Sequence, residues 1–132
     1  MQGQHLYEYA VIRAVPRVER EEFVNVGVIL YCSSRKFLSV KYDDNLSRVA
    51  ALGNPQCIGP IRESLQSFAR ICAGGRGSGT IGQLSVAERF RWLTATRSTV
   101  VQSSKVHPGF CTNPAETLEA LYQKFVAPLP IE

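Results

Sequence analysis

The stretch that most constrains this chain is Glu22-Phe23-Val24-Asn25-Val26-Gly27-Val28-Ile29-Leu30-Tyr31-Cys32. Alternate positions separate into a wholly apolar set, Val24, Val26, Val28, Leu30 and Cys32, and a mixed set, Phe23, Asn25, Gly27, Ile29 and Tyr31. Period-two alternation of β-branched residues predicts a strand with the apolar set on the core. Asn25 and Gly27 break the pattern. Asparagine is disfavoured in strands, and an interior glycine weakens one unless another group must approach the backbone closely. Both residues therefore become candidates for a site rather than for the fold.

A chain of 132 residues has the length of one domain and can bury a core without disulfide or metal staples. Hydrophobic residues at 45% and charged residues at 20% exclude a disordered chain. No apolar run approaches the roughly 20 residues that span a bilayer. Met1-Gln2-Gly3-Gln4-His5 has neither the basic flank nor the apolar core of a signal peptide, so the expected location is cytoplasmic. The four cysteines, Cys32, Cys57, Cys72 and Cys111, are scattered and expected to be free thiols. Cys32 and Cys72 fall on apolar faces, which leaves Cys57 and Cys111 as the accessible pair. The formal charge of +4 is concentrated: from Arg89 to Ala115 there is no acid to oppose Arg89, Arg91, Arg97 and Lys105. That asymmetry marks either an anion-binding face or a solvated basic one.

Along the chain, residues 1–5 read as a mobile tail. Tyr7 to Val15 reads as a strand apolar on both faces, hence central, and Pro16 ends it. After the Glu22–Cys32 strand, Ser33-Ser34-Arg35 makes a short turn into Lys36–Asp43, whose Leu38, Val40 and Tyr42 match the apolar set of its neighbour. These three strands form an antiparallel meander. Aligning the apolar faces of the first two sets Ala10, Ile12 and Ala14 beside Val24, Val26 and Val28. Arg13, Asn25 and Gly27 then share the opposite face.

Helical signals follow. Asn45 to Leu52 is short, and Pro60 opens a better helix carrying Ile61, Leu65, Phe68 and Cys72 at helical spacing, capped by Gly74 and Gly75. Residues 74–82 read as a flexible glycine-rich loop. Ser85 and Glu88 form a capping-box pattern ahead of Phe90 and Leu93. Thr99 to Gln102 reads as a fourth strand. Asn113-Pro114 starts a last helix with the stripe Leu118, Leu121, Tyr122, Phe125 and Val126. The expected fold is a single-domain α+β protein over residues 1–132, with an antiparallel sheet of three or four strands and helices packed on it.

The candidate chemistry is sparse. Gly77-Ser78-Gly79-Thr80-Ile81-Gly82 spells G-x-G-x-x-G, but it follows a helix instead of a strand, which favours a linker over a dinucleotide site. His107 and Cys111 stand four apart. A thiol beside an imidazole is a candidate nucleophile, although Pro108 and Gly109 suggest a turn in which the two need not meet. No paired Cys or His spacing supplies a zinc site, and neither metal nor cofactor is expected. Trp92 among Arg89, Arg91 and Arg97 suits stacking on a base as well as ordinary core packing. Arg97, Ser98 and Thr99 with Gln102 and Lys105 supply the densest donor cluster, suited to phosphate or carboxylate, or to plain turn chemistry. A charge at Arg13 needs a partner, and Glu8 or Glu22 can supply a structural ion pair. A polar pocket floored by Gly27 is the alternative.

Tyr9-Ala10-Val11-Ile12-Arg13-Ala14-Val15-Pro16, the Glu22–Tyr31 stretch, and Arg89-Phe90-Arg91-Trp92-Leu93 through Arg97-Ser98-Thr99 together resemble the bacterial domain of unknown function 3037 family. The resemblance implies a single-domain bacterial protein and brings no reaction with it. It also implies a protein partner, because members are encoded beside kinases similar to the HipA type; that is association, not mechanism. The leading expectation is an accessory or binding module for an anionic ligand or a protein partner, using Arg13, Asn25, Gly27, Arg89, Arg91, Arg97, Ser98, Gln102, Lys105 and His107. The alternative is a small enzyme acting on a phosphorylated or nucleic-acid substrate, with His107, Arg97 and Cys111 in its centre. Weak binding to polyanions through the basic segment is part of the first expectation, and membrane association of neither.

Overall fold

The strand β1 (His5–Ala14) has hydrogen-bonded neighbours along both of its edges and a packed core on each of its faces, as a central strand apolar on both sides requires. A computed structural model describes residues 3–52, 55–95 and 100–127 of the chain. After β1 come β2 (Val24–Cys32), β3 (Phe37–Tyr42), a single-turn helix α1 (Ser47–Ala50), α2 (Ile58–Ala73), α3 (Val86–Leu93), β4 (Val101–Ser103), β5 (His107–Cys111) and α4 (Pro114–Phe125). The sheet is antiparallel throughout, in the order β3-β2-β1-β4, with β5 also beside β1. β5 takes His5–Tyr9 of β1, and β4 takes Ile12–Ala14. The meander and the α+β class are as the alternation predicts.

Several boundaries differ from expectation for identifiable reasons. β1 begins at His5, within the expected tail, where β5 provides backbone partners. The segment from His107 to Cys111 is a strand and not a turn. Pairing with β1 outweighs the local preference of Pro108 and Gly109. The fourth strand is Val101–Ser103, and Thr99 lies outside the described residues. α2 begins before Pro60, which sits in its first turn, where a missing N–H costs nothing. In residues 74–82 the Ser78 hydroxyl and the Gln83 side-chain amide both donate to the Gly75 carbonyl.

The register of β1 with β2 carries the main correction. Ile12 is opposite Gly27 and Arg13 is opposite Asn25, so Val26 has no residue of its own across the ladder. This is a β-bulge, and it reverses the alternation of β2. Val24, Val26, Ile29 and Tyr31 lie with Ala10, Ile12 and Ala14 on one face, whereas Val28, Leu30 and Cys32 lie on the other. The five-residue apolar set is thus divided between two cores. Leu38, Val40 and Tyr42 pair with Tyr31, Ile29 and Gly27, not with the Val28 set.

Helices cover both faces. α2 brings Ile61, Leu65, Phe68, Ile71 and Cys72, and α3 brings Phe90 and Leu93, onto the face of Ile12 and Ile29. α4 covers Val28, Leu30, Cys32 and Cys111 with Leu118, Leu121, Tyr122, Phe125 and Val126. Full burial of residues such as Ile12, Ile29 and Leu65 contributes about 1.5–3 kcal/mol each. Ser85 Oγ accepts from Glu88 N at 3.2 Å, and Asn113 Oδ1 accepts from Ala115 N and Glu116 N, which start α3 and α4. None of the helices among the described residues is long and apolar enough to cross a membrane.

Candidate functional site

The period of two in β1 places Tyr9, Val11 and Arg13 together on the α4 side of the sheet. The bulge turns Asn25 to that same side, and Phe23 precedes it at the entrance to β2. β5 sets His107 opposite Tyr9, and α4 ends with Phe125 above the strands. With Ser104 these residues line a cavity of about 350 Å³. A second cavity, of about 290 Å³, is lined by Arg13, Val15, Glu21, Glu22, Phe23 and Gln102. Arg13 and Phe23 belong to both.

Asn25 and Ser104, beside the first cavity, have hydrogen-bond partners. Asn25 Nδ2 donates to the Phe125 carbonyl at 3.2 Å and so holds the end of α4. Ser104 Oγ accepts from Val11 N at 2.8 Å and donates to the Lys105 carbonyl at 2.9 Å. Tyr9 lies between two rings, with centroids 5.3 Å from His107 and 5.9 Å from Phe125. Arg13 differs. Its guanidinium carbon is 4.4 Å from the centre of the Phe23 ring, and its Nε is buried without any hydrogen-bond partner among the described residues. Neither expected partner serves it: Glu22 is paired with Arg20, and Glu8 makes no ion pair among the described residues. A buried donor left unmatched costs about 1–3 kcal/mol, more for a charged group.

The other predicted site residues divide sharply. Gln102 is the register partner of Arg13 on β4 and lines the second cavity. Gly27 is not the floor of either: it sits on the opposite face, against β3. A Cβ there would lie 3.0 Å from the Lys41 carbonyl oxygen and 3.0 Å from Tyr42 Cβ. Its small size serves the neighbouring strand. Arg89 is also absent from the cavity. Its Nη1 donates to the carbonyls of Ile71 and Cys72, both at 2.8 Å, and its Nε to that of Leu84 at 3.1 Å. It therefore caps the end of α2. Gly74, at φ 70°, makes room for it, since a Cβ there would meet Arg89 Nη1 at 2.5 Å. Arg91 and Lys105 are exposed, and Arg91 is on α3, across the sheet from the cavity. Trp92 is partly exposed while Phe90 is buried. Arg97 and Ser98 lie outside the described residues.

The proposed Cys111 nucleophile is not assembled. His107 and Cys111 occupy opposite ends of β5, about 13 Å apart at the rise of a strand. Cys111 is buried, and burial, with Cys32 beside it, pushes its thiol up from the ordinary value. All four cysteines are buried and outside any disulfide, Cys57 and Cys111 included, which corrects the expected accessibility of those two. Among the described residues, no group of three or more His, Cys, Asp or Glu side chains could hold a metal ion.

Tyr9, Phe23 and Phe125 were not among the sequence candidates. Strand and helix periodicity account for Tyr9 and Phe125 as core residues, and only the position of Phe23 on the mixed set of the key stretch sets it apart. No curated protein and no solved structure matches the chain. A family model described as "Protein of unknown function (DUF3037)" matches residues 9–126, most of the chain and all of the cavity-lining residues, and the protein belongs to that family.

Proposed function

We propose that the protein is a non-catalytic binding module that holds a small anionic ligand on Arg13. The observation that carries this is Arg13, which lines both cavities and whose buried Nε has no hydrogen-bond partner among the described residues. The Nε edge of a guanidinium offers two parallel N–H groups that match a carboxylate or phosphate oxygen pair. Around it the first cavity holds no carboxylate. Asn25 and His107 add polar groups, and Tyr9, Phe23 and Phe125 add apolar walls. The volume suits a small molecule rather than a peptide loop. A bacterial setting and an accessory role beside a HipA-like kinase belong to the same proposal and rest on family resemblance alone; a cytoplasmic location belongs to it too, as an expectation from the sequence.

The test is an amide NMR titration with acetate and orthophosphate. Saturable shifts at the backbone amides of Arg13, Asn25 and Gln102, lost in Arg13→Met, are expected. Absence of saturable shifts with both anions overturns the proposal.

A further inference from the structure

The two cavities have opposite characters. The first is lined by rings and carries no acid; the second holds Glu21 and Glu22 beside Gln102 and Val15. Arg13 and Phe23 form part of both linings, so a ligand seated on the guanidinium has an apolar space on one hand and carboxylates on the other. Of those two carboxylates, Glu22 is paired with Arg20. Glu21 makes no ion pair among the described residues, and its backbone is held at φ 56°, in the left-handed region that non-glycine residues rarely occupy. A strained backbone presenting an unpaired acid at a cavity is a feature that packing alone does not require.

Three unlike environments therefore meet around one residue: a guanidinium edge, a carboxylate, and a cage of Tyr9, Phe23 and Phe125. We infer that the ligand is a free α-amino acid with an apolar or aromatic side chain. Its carboxylate lies on Arg13, its ammonium toward Glu21, and its side chain in the first cavity. In such a molecule the three groups branch from a single carbon, which matches three subsites that converge on the shared wall. The inference rests on the anion-binding reading above and narrows it: a simple anion uses Arg13 only, whereas a zwitterion needs Glu21 as well. An acid lining a cavity beside an anion site is otherwise unfavourable, because like charge weakens anion binding.

The experiment titrates the wild-type protein with L-phenylalanine, L-leucine and 3-phenylpropionate, which retains the carboxylate and ring but lacks the amine. Either amino acid should bind at least tenfold more tightly than 3-phenylpropionate. Glu21→Gln should erase that difference and leave 3-phenylpropionate unaffected or slightly tighter, whereas Arg13→Met should abolish all binding. If 3-phenylpropionate binds as tightly as the amino acids and loses its affinity only in Arg13→Met, the zwitterion inference is overturned and anion binding stands. If neither amino acid nor 3-phenylpropionate gives a saturable shift, the zwitterion inference is overturned; if acetate and orthophosphate give none either, anion binding falls with it. The melting temperature of each variant, measured alongside, separates lost binding from lost folding.

Discussion

Arg13 stands directly across the ladder from Asn25, and Ile12 directly across from Gly27, with Val26 bulged out between them. The extra residue turns Asn25 toward Arg13 and leaves Gly27 behind on the other face. Its carbonyl is not wasted, since Asp43 N donates to Val26 O at 2.7 Å. Bulges re-aim side chains beside sites, and here one brings a polar amide to the only buried side-chain polar atom without a partner among the described residues.

Arg13→Met follows from that placement. The methionine keeps an unbranched apolar stem against Phe23 and removes a buried donor that nothing satisfies. Losing the ring contact costs about 0.5–1 kcal/mol. Removing the unmatched donor offsets this by a similar amount, about 1 kcal/mol. Urea denaturation should therefore show stability within about 1 kcal/mol of wild type, with ligand binding gone. A loss of several kcal/mol would mean that Arg13 is a structural residue.

Asn25 and Gly27, alike in breaking the strand pattern, should separate on substitution. Asn25→Val leaves the Phe125 carbonyl without its donor and should cost about 1 kcal/mol along with ligand affinity. Gly27→Val forces a side chain against β3 and should cost about 1–3 kcal/mol while the site, on the other face, still binds in the folded fraction. Equal loss of binding in both variants at matched folded fractions would show that the faces are not independent.

The difference between these two residues was not legible in the sequence. Strand, hairpin and helix positions follow from period-two and 3.6-residue patterns, and those patterns are strong here. A bulge leaves no such mark, because Val26 is as good a strand residue as Val24 or Val28. One undetected extra residue moved Val28, Leu30 and Cys32 to the other core and separated Gly27 from Arg13. Arg13 and Asn25 were legible because each is costly where it lies. The role of Arg89 escapes the sequence for a related reason: the carbonyls it caps come from the far end of another helix, which no local spacing reveals.

That role of Arg89 gives a sharp contrast with Arg91. Arg89→Met frees the carbonyls of Ile71, Cys72 and Leu84, and a hydrogen bond from a charged donor contributes about 1.5–3 kcal/mol. A stability loss of roughly that size is expected, against less than about 0.5 kcal/mol for exposed Arg91→Met. Any salt-sensitive polyanion binding should then weaken in Arg91→Met or Lys105→Met without a change in melting temperature. If Arg89→Met leaves the melt unchanged, the capping role is wrong.

The buried cysteines make the protein sensitive to alkali. Burial pushes the Cys72 thiol up to about 12 from 9.0, a rise only partly opposed by nearby Arg89. In the unfolded chain the thiol loses its proton near pH 9, while in the folded protein it keeps it. Between those values the folded state binds the extra proton, so stability is complete below pH 9 and falls as pH rises toward 12. The slope for one such group is at most about 1.4 kcal/mol per pH unit. Burial also raises Cys111, Tyr7 and Tyr122, and each steepens the loss in the same direction. Urea melts from pH 8 to pH 11 should show a steeper decline for wild type than for Cys72→Ala, even though the alanine variant starts lower because of its cavity. Thiol labelling of the native protein at pH 8 should be slow at all four positions and accelerate together on unfolding. Parallel pH profiles for wild type and Cys72→Ala would show that this thiol is not held neutral by the fold.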